Sequence, residues 1–186
     1  KLFNLQDGKR LRLGDVLRLA KLTVSGDGGN RLNFNLMGDP AIMPTYPDYK
    51  VVVDEFDGPP SDELPFMRAG AKVTVKGHIL TPDGKPADDF TGTVHPLVYD
   101  SKETISTLNT LDKGAVTYTD HNKILFSGMD SVRNGRFELT FPVPLDINYS
   151  NEQGLLNLYA CDADKREAGG VFDRFLVGGT ADDIPT

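Results

Sequence analysis

From Tyr49 onward, short runs in which every second residue is apolar are broken repeatedly by Gly, Pro, Asp and Asn, with no helical period between them. Alternation of period two turns one face of each run toward a core and the other toward water, and the turn residues let each strand fold back. Residues 50–56 form the first run, ended by Asp57-Gly58-Pro59-Pro60-Ser61. Residues 71–80 follow, with Val73, Val75, Gly77 and Ile79 on one face and Thr74, Lys76 and His78 on the other. After the turn Pro82-Asp83-Gly84-Lys85, residues 90–99 set Phe90, Gly92, Val94 and Val98 against Thr91, Thr93 and His95. Pro96 inside that run predicts an edge strand or a bulge, because proline cannot donate to the ladder.

Residues 100–114 read as a connection with a short helical turn at 103–108, and residues 116–119 and 123–127 as strands around Asp120-His121-Asn122. Asn134-Gly135 is the strongest local hairpin signal, since both residues accept positive φ in a type I′ turn. Its second arm alternates Phe137, Leu139 and Phe141, the predicted core, with Glu138 and Thr140. Residues 155–161 and 171–177 complete the set. About eight short strands without a helical repeat argue for an antiparallel sandwich.

The lead is different in texture. Leu13, Val16, Leu17 and Ala20 recur at i, i+3, i+4 and i+7, which predicts one amphipathic helix over residues 13–22. It ends before Ser25-Gly26-Asp27-Gly28-Gly29, a flexible connection with no phosphate-loop continuation. Leu32, Phe34 and Leu36 fit either a strand or a helical face, and Gly38-Asp39-Pro40 stops whichever forms. A lead of this length cannot bury a core alone, since chains below ~40 residues usually need metals, disulfides or a neighbour and those of ~60 are marginal.

Of the 186 residues 39% are apolar, enough for a real core. A formal net charge of −7 argues against a nucleic-acid backbone or an anionic membrane surface as partner. No window approaches the ~18 apolar residues of a membrane-spanning helix.

Three stretches carry a family resemblance: Phe126-Ser-Gly-Met-Asp-Ser-Val-Arg-Asn-Gly-Arg-Phe137, Phe141-Pro-Val-Pro-Leu-Asp-Ile-Asn-Tyr149 and Asn157-Leu-Tyr-Ala160. With the Gly-Asp-Pro seam and its exit into a valine-rich strand, they resemble the gingipain-type cysteine peptidases, in particular the PorU-type sortases of the type IX secretion system of Bacteroidetes. The resemblance covers most of the chain. It implies a mainly β fold: an immunoglobulin-like antiparallel β-sandwich over 48–179, preceded by the C-terminal remnant of an α/β caspase-like peptidase domain over 1–47. Residues 180–186 then lead to a further domain downstream. The catalytic His and Cys of that family would precede the seam, so the chain itself is expected to be an inactive accessory region. The implied whole is a cell-surface peptidase that removes C-terminal secretion signals from its cargo and joins the new end to an anionic lipopolysaccharide. Its partners would be the upstream catalytic domain and outer-membrane components or cargo, and the apolar helix stripe of Leu13, Val16 and Leu17 adds self-association.

The residues with reactive side chains fit this reading. Cys161, the one cysteine, with His78, His95 or His121 is the sole nucleophile–base combination available. By alternation His78 and His95 face solvent, whereas a small thiol near a strand end is usually buried, so Cys161 reads as structural. The histidines lack zinc-site spacing. Asp162-Ala163-Asp164 and Asp27-Gly28-Gly29 offer oxygens without completing a calcium loop. The family's structural calcium is implied by resemblance alone, and no catalytic, cofactor or metal residue is assigned. Asp130-Ser131-Val132 matches an O-glycosylation pattern of the same bacteria, beside the plainer reading that Ser and Asp favour turns. A free-standing adhesin or carbohydrate-binding sandwich is the alternative, though a chain with no Trp and six Tyr has little for an aromatic platform.

Overall fold

In a computed structural model the described residues are 10–23, 34–44, 46–57, 63–109 and 114–182. The readings placed on residues 24–33, 58–62 and 183–186 lie outside them, including the Gly26 to Gly29 connection. The chain divides into two compact units, Lys1–Tyr46 and Pro47–Thr186.

In the first unit, α1 (Leu13–Thr23) forms where the i, i+3, i+4 pattern places it, with Asp15 in its first turn and Lys21 in its last, matching the helix dipole. Its entry is fixed by backbone bonds from Leu13 N to Ile42 O and Gly14 N to Pro40 O. The Gly-Asp-Pro seam makes a turn in which the Asp39 carboxylate accepts from Ala41 N at 2.8 Å. No residue of α1 is buried, and Phe34, Met37, Ile42 and Met43 all stand exposed.

The second unit is mainly β. Its strands are β1 (Tyr49–Phe56), β2 (Phe66–Ala69), β3 (Lys72–Leu80), β4 (Gly92–Tyr99), β5 (Glu103–Ser106), β6 (Thr117–Asp120) and β7 (Ile124–Ser127). They continue with β8 (Asp130–Val132), β9 (Arg136–Pro142), β10 (Glu152–Gln153), β11 (Leu155–Asp162), β12 (Glu167–Phe172) and β13 (Leu176–Thr180). The main sheet runs β7-β4-β11-β12-β1-β3-β9, with β8 also on β4, beside a small sheet β10-β13-β2 and the ribbon β5-β6.

Because β8 and β9 lie at opposite ends of that order yet are joined by a two-residue turn, the main sheet must fold over on itself into a sandwich. Asn134 and Gly135 have φ of 49° and 68°, and Arg133 and Arg136 exchange both backbone bonds at 2.9 Å, which is the type I′ hairpin the dipeptide predicts. Phe137, Leu139 and Phe141 then point inward at 5%, 2% and 1% exposure, as their alternation requires. The Phe141 ring stacks on Phe126 of β7 at 4.9 Å, tying the two ends of the sheet together. Opposite Phe137, position 77 is glycine because a Cβ there would sit 2.5 Å from the ring and 2.2 Å from Val52 O.

The sandwich contains two parallel pairings, β1 with β12 and β2 with β13, in an otherwise antiparallel set. Pro96 is buried in an interior strand rather than on an edge. The ladder accommodates it because β8 pairs with Gly92 to Val94 and β7 with Leu97 to Tyr99, leaving the proline at the break between them. The helical turn expected at residues 103–108 is instead strand β5, whose Thr104 and Ile105 favour an extended backbone and pair with Thr119 and Tyr118. The single strand expected over residues 171–177 is divided between β12 and β13, with Phe175 turned into the core at the break.

Candidate functional site

The chemistry-bearing side chains fall into a reactive row on β4 and β11, an ionic clamp at the β11–β12 turn, a buried aspartate, and a groove at the hairpin. The reactive row corrects the reading of Cys161. Leu156, Leu158 and Ala160 are the buried positions of β11, so Tyr159 and Cys161 face outward, and the thiol is half-buried rather than enclosed. Register places Cys161 opposite Thr93 and Tyr159 opposite His95. The Thr93 hydroxyl stands 3.6 Å from the Cys161 sulfur and 3.3 Å from His95 Nε2.

Thiol and imidazole are thus joined only through a hydroxyl. Burial, then the neighbouring Glu167 carboxylate, raises the pKa of the Tyr159 hydroxyl above its ordinary value. The row lies on an outer sheet face, and neither the groove at the hairpin nor that beside Lys102 and His121 is lined by Cys161 or His95. Covalent catalysis needs a base within reach of the nucleophile and donors aimed at the developing oxyanion; the base here is one residue removed.

The other two histidines are held separately. His121 bonds through Nδ1 to Asp100 O at 2.6 Å, and His78 through Nδ1 to Asp54 at 2.8 Å. Among the described residues no three His, Cys, Asp or Glu side chains gather as a metal site. Asp162 has both oxygens engaged by Arg166, one by its backbone N–H at 2.8 Å and one by Nε at 2.6 Å. Arg166 also reaches Asp89 at 2.7 Å and lies over the rings of Tyr49 and Phe90 at 5.6 and 5.4 Å. These partners raise its pKa further above its already high ordinary value, with Asp89 the largest contributor.

Asp100 is fully buried yet satisfied. Its oxygens accept from the backbone of Ser101 at 2.8 Å and Asn148 at 2.7 Å, joining the end of β4 to the loop after β9.

A groove of about 930 Å³ opens where β1, β3, β8 and β9 meet, lined among others by Lys76, His78, Ser131, Arg133 and Arg136. Lys76 pairs with Glu55 at 3.1 Å; that bond, with the charges of Glu55 and Glu138, holds its ammonium above the ordinary value. Ser131 is exposed on β8, with its backbone N–H bonded to Asp130 at 2.7 Å. His78 and Ser131 stand out in the sequence one by one, whereas their meeting with the two arginines that flank Asn134-Gly135 depends on the pairing of distant strands.

The sequence matches no protein-family model and no curated protein. Among solved structures, dimeric latent PorU from Porphyromonas gingivalis is similar over 98% of this chain at 29% identity and a TM-score of 0.64. The chain spans 18% of that protein. Its fold is therefore similar to one part of PorU, a protein much longer than this chain. Looser similarities to the sporulation control protein Spo0M of Bacillus subtilis, at 13% identity and 0.40 over 70% of this chain and 49% of that one, carry no argument. The same is true of a Listeria innocua β-glucosidase, at 15% and 0.32 over 75% of this chain and 17% of that one.

Proposed function

We propose that this chain is a non-catalytic accessory region of a larger PorU-like cell-surface peptidase and sortase that processes the C-terminal secretion signals of type IX cargo. The observation that carries the reading is the PorU similarity across 98% of the chain, which includes both compact units. In this reading residues 1–47 complete an α/β domain of gingipain type, residues 48–179 form the immunoglobulin-like sandwich, and residues 180–186 lead onward. The sandwich positions the catalytic domain or its cargo on the outer face of the outer membrane. Exposed Phe34, Met37, Ile42 and Met43, with a helix none of whose residues is fully buried, support a first unit whose apolar surface belongs against further chain.

Hydrogen exchange tests the assignment. Amides of α1 should be protected in the parent polypeptide and exchange quickly in this chain in dilute solution. Equal and strong protection in both would count against residues 1–47 being part of a larger domain.

A further inference from the structure

Three cross-strand rows cross the outer face of β3 and β9, and they differ in charge. Thr74 stands opposite Thr140, with hydroxyls 3.0 Å apart. Lys76 stands between Glu55 and Glu138, one ammonium facing two carboxylates. In the last row His78 faces Arg136, and Arg136 faces Arg133 across the type I′ turn. Residues directly opposed in a hydrogen-bonded antiparallel pair share a face with Cα atoms about 5.5 Å apart, and like charges placed so destabilise the pair.

Four acids line the groove with these arginines, and none is ion-paired to either: Asp88 and Glu138 make no ion pair with them, and the other two are engaged elsewhere. Asp54 is engaged with His78 at 2.8 Å and Glu55 with Lys76 at 3.1 Å. Among the described residues neither the Arg133 nor the Arg136 guanidinium has a hydrogen bond or an ion pair. The two-residue turn fixes the separation of their backbones, which keeps the two side chains on one face.

We propose that Arg133 and Arg136 bind the phosphate group of a small phosphomonoester. Guanidinium forks match the oxygens of phosphate two at a time, and a monoester carrying about −1.5 to −2 at pH 7 neutralises both cations where a carboxylate leaves one uncompensated. The Ser131 hydroxyl lines the same groove and offers a neutral donor. At about 930 Å³ the groove has room for the molecule that carries the phosphate. Asp54, Glu55, Asp88 and Glu138 all line the same groove and would repel an extended polyanion, so the ligand is a small one whose single anionic group sits at the arginine end.

The experiment is an NMR titration of the full chain at low salt with inorganic phosphate and with glycerol phosphate, beside acetate and glycerol. Both phosphates should give saturable shifts confined to residues 76–78 and 131–138, roughly tenfold or more weakened in the Arg133→Ser/Arg136→Ser variant. Without ligand that variant should melt no lower than the parent, because a like-charge pair has been removed, and phosphate should raise the melting temperature of the parent alone. Tighter binding of glycerol phosphate supports a carried phosphate; equal binding supports the same site and assigns it to the free ion. No saturable shift with either phosphate, unchanged affinity in the double variant, or acetate binding as well as phosphate would overturn the proposal.

Discussion

Arg166 and Asp162 close the β11–β12 turn on each other: the arginine backbone N–H and Nε both donate to one carboxylate, at 2.8 and 2.6 Å. Burial alone would raise the Asp162 pKa, but the Arg166 backbone, its guanidinium and the Asp164 N–H together hold it below the ordinary value. A carboxylate depressed in the folded state stabilises the fold above its unfolded pKa and loses that contribution as pH falls through the folded one. Stability should therefore decline below the ordinary carboxylate range near pH ~4. Melting curves from neutral to acid pH should show this decline in the parent and a flatter, lower profile in Asp162→Asn. Arg166→Leu should cost about 1.5–3 kcal/mol, the range for hydrogen bonds to a charged group.

Phe137 and Phe141 are inward positions of the hairpin arm on which both ends of the main sheet converge. Truncating either to alanine should cost ~3–5 kcal/mol, read from denaturant unfolding. Phe141→Ala should be the worse of the two, because it also loses the Phe126 stack at 4.9 Å. Unchanged unfolding midpoints would show that the core lies elsewhere.

Replacing Asp100 with alanine removes the acceptor of the buried Ser101 N–H and of the half-buried Asn148 N–H. Each buried unsatisfied donor costs ~1–3 kcal/mol. Asp100→Asn keeps an acceptor for one of the two and should lose less. Chemical denaturation of the pair of variants checks the order.

Leu13, Val16 and Leu17 are half-buried, and Leu22 is 66% exposed. Leaving an aliphatic side chain in water forfeits up to ~1.5–3 kcal/mol, so concentrated protein should pair through the lead segment. Sedimentation of the whole chain beside one starting at Asp48 should show a concentration-dependent species only in the former. If both remain monomeric, the stripe is not a self-association surface.

What could be read from the sequence was what local chemistry controls. Asn134-Gly135 allowed one turn type, and alternation then placed Phe137, Leu139 and Phe141. The helix followed from spacing. What stayed hidden depended on distant partners: the parallel pairing of β2 with β13 joins segments more than a hundred positions apart, and Arg166 meets Asp89 across a separation of 77. Residues 103–106 look weakly patterned because neither face of β5 is fully buried. Cys161 was misplaced because its small size suggested burial, whereas the alternation of Leu156, Leu158 and Ala160 already turned it outward.

As a non-catalytic accessory region, the chain should cleave nothing, although Cys161 and His95 share an outer face through Thr93. The most direct test is to incubate the purified chain with a peptide bearing a C-terminal secretion signal and follow cleavage by mass spectrometry. The peptide should stay intact, and alkylation of Cys161 should change nothing. Cleavage that is lost in both Cys161→Ser and His95→Ala would contradict it.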